Sequence, residues 1–197
     1  MRVGLLGGSF DPPHAGHRAV SLVALEALAL DQVWWLVSPG NPLKSHAPSE
    51  NLAERVAAAR ALAAHPRIKV TGVEAALGTT YTAETLRRLL PRLRGLRVVW
   101  LMGADNLRQF SEWRDWQRIA AMVPMAVLNR PGEALRALSS PAAEALAAWR
   151  IPLESARGLA SRRPPAWVFL PGPHVPLSST ALRAARQKDR RHPQTAS

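Results

Sequence analysis

The amino-acid sequence predicts an α/β fold, a doubly wound parallel sheet in a single domain. Short apolar runs alternate with helix-like patterns, and this alternation is typical of parallel strands joined by helical crossovers. The length of 197 residues suits one domain with a buried core. The chain contains no cysteine, which excludes disulfides, thiolate nucleophiles and thiolate zinc sites.

The first half of the chain alternates strand and helix. Residues 2–7 form an apolar run that ends in glycine, and residues 15–30 carry apolar side chains at helical spacing. A β-prone run with two tryptophans follows, and then a loop rich in Pro, Ser, Gly and Asn. The predicted elements of this half are strands over 2–7, 32–37 and 68–73, helices over 15–30, 51–64 and 82–90, and a loop over 38–48.

The second half continues the alternation with weaker signals. Residues 96–102 are strongly β-prone and end before a glycine, and short apolar runs predict two further strands. An Ala/Leu-rich stretch predicts one long helix over residues 134–149. The remaining predicted elements are a helix over 112–122, strands over 125–128 and 167–170, and a loop over 157–165.

Residues 7–17, GGSFDPPHAGH, are the most informative segment. They bring a glycine turn, two prolines and two histidines from the first strand to a helix N-terminus. Free backbone N–H groups and the positive end of the helix dipole bind anions there. Ligands of a doubly wound sheet bind at the carboxyl ends of its strands. We therefore predict a site for chemistry on phosphate.

Two other interpretations of this segment remain open. His14 and His17 could be a buried or helix-capping pair. They could also bind zinc, which would need another ligand such as Asp11, His46 or His174. The segment lacks the third glycine of a dinucleotide fingerprint, and the chain has no phosphate-binding P-loop motif.

Nucleic-acid binding is a competing function, because the formal net charge of +12 and the pI of about 11.6 are typical of proteins that bind nucleic acids. The basic residues are scattered and are not interleaved with aromatics, which favours a solvated surface that attracts phosphorylated substrates. We expect no nucleic acid and no membrane as partners. With no signal peptide and no membrane span visible, we expect a cytoplasmic protein. The predicted division is a domain over residues 1–187 and a basic, disordered tail over 188–197.

Residues 177–183, LSSTALR, form a second candidate phosphate site near the other end of the chain. Hydroxyl groups at the start of a helix cap it, and they also donate to phosphate oxygens. Arg183 could pair with a phosphate in bidentate fashion. A capped terminal helix without further function is the alternative.

These motifs resemble a known group of enzymes. Residues 7–17 resemble the G-x-F-D-P-x-H-x-G-H signature of the nucleotidyltransferase superfamily, and residues 177–183 resemble its I-S-S-T-x-[IV]-R motif. Three further segments resemble the bacterial nicotinate mononucleotide adenylyltransferases: 41–44 (NPLK), 80–86 (TYTAETL), and 103–106 (GADN) with Phe110 and Trp113 downstream. The chain departs from that family at Thr80, Glu84 and Arg114, and its lysine at position 44 comes one residue early.

The resemblance implies a Rossmann-like fold and adenylyl transfer from ATP to nicotinate mononucleotide, by in-line displacement at the α-phosphate without a covalent intermediate. It implies Mg²⁺ carried by ATP, and no metal site made by the protein. The implied catalytic residues are His14, His17, Lys44 and Arg183. The implied ATP-binding residues are Gly7, Gly8, Ser9, Phe10, His14, His17, Ser178, Ser179, Thr180 and Arg183. The implied residues of the mononucleotide site are Lys44, Tyr81, Thr82, Thr85, Asp105, Trp113 and Arg114.

Some alternatives remain within and beside this superfamily. Trp113 would stack on the pyridine ring, although it or its neighbour Trp116 belongs to the core. Pantetheine-phosphate adenylyltransferases and cytidylyltransferases share the first motif, but residues 80–86 and 103–113 weigh against both. Class I aminoacyl-tRNA synthetases also use H-x-G-H, but the chain lacks their lysine-rich loop. The sequence leaves the choice between nicotinate and nicotinamide open, as it does the oligomeric state.

Overall fold

Six parallel strands form one sheet in the computed structural model, which describes residues 1–40 and 51–173. The strand order is β3-β2-β1-β4-β5-β6. This order confirms the doubly wound parallel sheet, because the chain runs outward from β1 to one edge and then returns to build the other half. The strands are β1 (Arg2–Gly8), β2 (Gln32–Val37), β3 (Ile68–Thr71), β4 (Arg97–Gly103), β5 (Met125–Leu128) and β6 (Trp167–Leu170).

Helices cover both faces of the sheet. Eight α-helices are described: α1 (Ala15–Ala27), α2 (Leu52–Ala63), α3 (Val73–Leu77), α4 (Thr82–Leu89), α5 (Ala104–Arg108), α6 (Trp116–Met122), α7 (Ala134–Leu138) and α8 (Pro141–Ala145). Four 3₁₀ segments accompany them: Leu90–Leu93, Phe110–Glu112, Ala147–Trp149 and Leu153–Ser161. The strands bury residues on both faces, so they read in sequence as nearly continuous apolar runs.

Two hydrophobic clusters, one on each face, follow from side-chain alternation along the strands. In β4, Val99 and Leu101 face the cluster that α1, α2 and the 3₁₀ segment Leu153–Ser161 cover. Trp100 and Met102 face the other cluster, beneath helices α4 to α8. Helices therefore cover both faces of the sheet, and the carboxyl ends of its strands are left for ligands.

Five predicted boundaries are wrong, each for a local reason. The helix predicted over 15–30 ends at Ala27, because Ala29 has a left-handed backbone with φ of 49°. The helix predicted over 134–149 is divided into α7, α8 and a 3₁₀ turn, because Ser140 caps a new helix that begins at Pro141. Residues 153–161 form a 3₁₀ segment, so the loop predicted over 157–165 begins too early. The third strand ends at Thr71, and helix α3 follows Gly72. Helix α6 starts only at Trp116, since Asp115 has a left-handed backbone with φ of 55°.

Within the described residues, no helix is long and apolar enough to cross a membrane. The structure contains one α/β domain, as predicted. The proposed tail over 188–197 lies outside the described residues, so the boundary after residue 187 stays a prediction.

Candidate active site

The topological switch point of the sheet lies between β1 and β4, the two adjacent strands from which the chain proceeds in opposite directions. Strand β1 ends at Gly8, and the chain then reaches the N-terminus of α1 at His14. Strand β4 ends at Gly103, immediately before α5. The segment predicted to bind phosphate therefore lies at the carboxyl ends of the strands, which is where a doubly wound sheet binds ligands.

His14 and His17 cap helix α1 reciprocally. The backbone N–H of Gly16 donates to Nδ1 of His14 at 3.1 Å, and the backbone N–H of His14 donates to Nδ1 of His17 at 3.2 Å. An Nδ1 that accepts a hydrogen bond carries no proton, so each neutral ring holds its proton on Nε2. The cap interpretation of the pair is therefore correct, and it is compatible with a second role, because the Nδ1 caps place the proton of each neutral ring on Nε2 at the helix N-terminus.

The charge state of His14 follows from its surroundings. Its side chain is 5% exposed, and burial together with the positive charge of Arg130 lowers the pKa of His14 to about 4. At neutral pH the ring is uncharged, and it donates through Nε2–H without adding a positive charge.

A stack of aromatic rings fixes the orientation of His17. Its ring lies 3.9 Å from that of His14 and 4.6 Å from that of Phe10, and Phe10 stacks on Trp35 at 5.0 Å. Phe10 has a left-handed φ of 47°, which is unfavourable for an aromatic residue, and this stack holds it in place. Trp35 is anchored in turn, since its Nε1 donates to Oγ of Ser21, which donates to the carbonyl of His17.

A cavity of about 320 Å³ opens beside this loop. Its floor includes Trp100 from β4, and Gly7 makes that possible: a Cβ at position 7 would lie 2.6 Å from the Trp100 ring. The cavity brings together three segments that are far apart in sequence. They are Gly7, Gly8 and Ser9 after β1, Thr80, Tyr81 and Thr82 before and at the start of α4, and Asn106, Glu112, Trp113 and Arg114 after β4.

The two candidate tryptophans have different surroundings. Both pack edge-on against Phe110, at 5.4 Å for Trp113 and 5.7 Å for Trp116. Trp113 lines the cavity, whereas Trp116 is not among the residues that line it. Arg114 lies over the ring of Tyr81 at 4.9 Å, so these two residues close the same side of the cavity.

Thr85 lies behind the cavity wall. It is fully buried, and its hydroxyl hydrogen-bonds the hydroxyl of Thr79 at 2.8 Å and contacts Oε1 of Glu74 at 3.5 Å. Its contacts support the loop that carries Tyr81. Direct contact of Thr85 with a mononucleotide stays a prediction that this geometry does not favour. Glu74, which directly follows the strand predicted over 68–73 and which no motif singled out, lines the cavity itself.

Asp105 lies beside an arginine that the sequence analysis did not single out. Nε of Arg130 is 3.3 Å from Oδ1 of Asp105, an ion pair that joins the ends of β4 and β5. A Cβ at Gly103 would lie 2.3 Å from the same oxygen and 3.2 Å from Nε of Arg130, which explains the glycine in this motif. A charged residue two positions beyond the predicted strand over 125–128 was the signal for Arg130.

Arg55 connects the phosphate loop to the end of β2. It projects from α2, is 1% exposed, and donates to the carbonyls of Ser9 at 2.6 Å, Ser38 at 2.7 Å and Pro39 at 3.1 Å. Nothing in the sequence distinguishes Arg55 from Arg60 of the same helix, which is exposed. Only the fold selects it.

Five of the predicted site residues lie outside the described residues: Lys44, Ser178, Ser179, Thr180 and Arg183. Their roles stay predictions. The other predicted site residues converge at the carboxyl ends of the strands. The two histidines lie at the N-terminus of α1, and the residues of segments 80–86 and 103–114 lie around or beside the cavity. Among described residues, no group of three His, Asp or Glu side chains could hold a metal ion.

Comparisons with known proteins identify the family and agree with the fold. Residues 5–185 match the family described as cytidylyltransferase-like. A protein of Bradyrhizobium sp. strain BTAi1, named probable nicotinate-nucleotide adenylyltransferase, is 58% identical over 183 residues, which cover 93% of this chain and 95% of that protein. A protein of the same name from Cereibacter sphaeroides is 59% identical over 184 residues, covering 93% and 97%. The fold resembles Plasmodium falciparum nicotinic acid mononucleotide adenylyltransferase complexed with NaAD, with a TM-score of 0.66, 15% identity, and coverage of 93% and 82%.

Proposed function

The chain belongs to the cytidylyltransferase-like family and, within it, to the nicotinate-nucleotide adenylyltransferases, and from this premise we propose how its own residues carry the reaction. The enzyme joins the adenylyl group of ATP to nicotinate mononucleotide, giving nicotinate adenine dinucleotide and pyrophosphate. The 5′-phosphate of the mononucleotide attacks the α-phosphorus of ATP in line, and the bond to the β-phosphate oxygen breaks. No covalent intermediate forms.

The reciprocal histidine cap is the observation that carries this mechanism. The attacking phosphate is already an anion, so the site needs no general base; it must position two polyanions and stabilise charge on the transferring group. Two imidazoles with protons on Nε2, at the positive end of the 13-residue helix α1, supply such donors. His14 and His17 would donate to phosphate oxygens of ATP, and the backbone of residues 8–10 would approach the same group.

The cavity accommodates the pyridine end of the mononucleotide. Trp113 offers a ring face for stacking, and Tyr81, Thr82 and Arg114 border that ring. Asp105 would accept hydrogen bonds from a ribose hydroxyl, with Arg130 holding the carboxylate in place. By resemblance, Lys44 would neutralise a reacting phosphate, and Arg183 with Ser178, Ser179 and Thr180 would hold the β- and γ-phosphates.

We propose that Mg²⁺ accompanies ATP, bound by the phosphate oxygens, which are the hard ligands that this ion prefers. The ion would offset charge on the triphosphate. The chain's own contribution is to orient the phosphates through N–H donors and basic side chains.

Pyrophosphate release tests the proposal. The protein would be assayed with Mg-ATP and, in parallel, nicotinate mononucleotide, nicotinamide mononucleotide and phosphopantetheine. We expect release with a pyridine mononucleotide and none with phosphopantetheine. Release only with phosphopantetheine would agree with adenylyl transfer but overturn the assigned substrate. The absence of release with all three compounds would overturn the proposed adenylyltransferase activity.

A further inference from the structure

Arg114 is the cationic side chain of the cavity that would hold the pyridine ring, which we call the ring cavity. Among the described residues that line it, the ionisable ones are Glu74, Tyr81, Glu112 and Arg114, and of these Arg114 alone carries a positive charge. Glu74 is buried and Glu112 is exposed, and neither forms an ion pair with Arg114. The positive charge at the cavity is therefore not neutralised by an acid of the cavity wall.

Two contacts hold the guanidinium group of Arg114 in place. Its carbon atom Cζ lies over the Tyr81 ring, 4.9 Å from the ring centroid, and its Nε lies 4.0 Å from Oδ2 of Asp115. At 4.0 Å the second contact is an ion pair without a hydrogen bond, and the guanidinium donates no hydrogen bond to any described residue. Tyr81 thus covers the planar face of the group, while its in-plane N–H donors are unused within the described part of the chain.

A neighbouring arginine shares the same counter-ion but not the ring cavity. Nε of Arg118 lies 3.8 Å from Oδ1 of Asp115. Arg118 lines a second cavity of about 200 Å³, and the residues common to both cavities are Tyr81 and Arg114. Arg114 therefore lies on the wall between the two cavities, whereas Arg118 lines only the second one.

We propose that Arg114 is the side chain that makes this site prefer nicotinate mononucleotide over nicotinamide mononucleotide. The two substrates differ at one substituent of the ring, which is a carboxylate in nicotinate and a carboxamide in nicotinamide. A guanidinium binds both oxygens of a carboxylate through two parallel N–H donors, and its charge stabilises the anion. A carboxamide has one oxygen and no charge, and a guanidinium has no acceptor for its N–H groups. The inference rests on the proposed function, in which Trp113 stacks on the ring.

The size of the effect follows from the exposure of Arg114. Its side chain is 66% exposed, so water screens the ion pair, and we expect the pair to contribute about fivefold to the selectivity. Added salt should weaken it further, because the screening length shortens from about 10 Å at 0.1 M to about 3 Å at 1 M. The ratio of kcat/KM for nicotinate mononucleotide to that for nicotinamide mononucleotide should therefore fall as KCl is added. Salt effects on the 5′-phosphate cancel in this ratio, because both mononucleotides carry it.

Steady-state kinetics with saturating Mg-ATP tests the role of Arg114. In Arg114→Gln, which removes the charge, the ratio should fall about fivefold and lose its dependence on salt. Arg114→Lys should keep more of the ratio than Arg114→Gln, because lysine retains the charge but not the paired donors. Arg118→Gln is the matched control, since it removes an exposed arginine from the same counter-ion, and it should keep the wild-type ratio and its salt dependence.

The outcomes separate this inference from the proposed function. An Arg114→Gln variant with the wild-type ratio, or a wild-type ratio that does not respond to salt, would overturn the inference and leave the adenylyltransferase function intact. An equal fall of the ratio in Arg118→Gln would also overturn it, because the general surface charge would then set the selectivity. Turnover of neither mononucleotide by the wild type would overturn both. The salt series on the wild type needs no variant, so it decides the question even if Arg114→Gln does not fold.

Discussion

Arg55→Met tests whether one buried guanidinium holds the phosphate loop against the end of β2. Methionine preserves much of the aliphatic stem and fits the helix, but it removes every donor. The carbonyls of Ser9, Ser38 and Pro39 then lose their hydrogen bonds at 2.6, 2.7 and 3.1 Å. Each bond is worth at least about 1 kcal/mol when the donor is charged and the acceptor becomes unsatisfied. Because Arg55 is 1% exposed, water does not replace the donors, and we expect a loss of about 3 to 5 kcal/mol.

Urea unfolding measures this loss as the change in free energy of unfolding at an unchanged m-value. Arg60→Met is the matched control, because Arg60 lies on the exposed side of the same helix and the substitution has the same helix propensity. We expect it to change the free energy of unfolding by less than about 0.5 kcal/mol. A loss below about 1 kcal/mol in Arg55→Met would show that Arg55 does not hold the phosphate loop in this way, because three buried carbonyls that lose a charged donor cost more free energy than that.

Three further outcomes are expected. His17→Ala should lower turnover about 100-fold or more, because it removes a donor to the transition state; a folded variant with near-normal turnover in a pyrophosphate assay would exclude that role. Gly103→Ala should disturb Asp105 and raise the KM for the mononucleotide, because its Cβ would lie 2.3 Å from that carboxylate. Gly158→Ala, with open space around it, should leave this KM unchanged in the same steady-state assay. The pKa of His14 is about 4 in the folded chain and 6.5 in the unfolded chain, so the unfolded state binds more protons between these values. Stability is therefore lost as the pH falls through this window. His14→Asn, which keeps a capping acceptor, should weaken that loss in urea titrations at pH 7 and pH 5, and an unchanged difference between the two pH values would contradict it.

The sequence pattern alone predicted the parallel sheet and the segment over residues 7–17 as a phosphate site. The strands of a doubly wound sheet are buried on both faces, so runs such as residues 98–102 (VVWLM) stand out as continuous apolar segments, and the order of such runs along the chain leaves few topologies. Residues 7–17 and 80–86 carry their signals locally, in glycines, prolines, histidines and a tyrosine. Short helices such as α3 and α5 were missed, because five residues hold too little periodicity to be recognised.

The tertiary structure alone decided which charged residues matter. Arg55 and Arg60 occur in one Ala-rich helix, yet the packing of α2 buries the first against three carbonyls and leaves the second in solvent. Arg130 meets Asp105 only because β4 and β5 end side by side. Glu74 acquires its raised pKa only through burial beside the cavity. Local sequence fixes which groups a segment offers and how its backbone turns, whereas desolvation and ion pairing depend on contacts between segments distant along the chain. These contacts exist only once the sheet has formed.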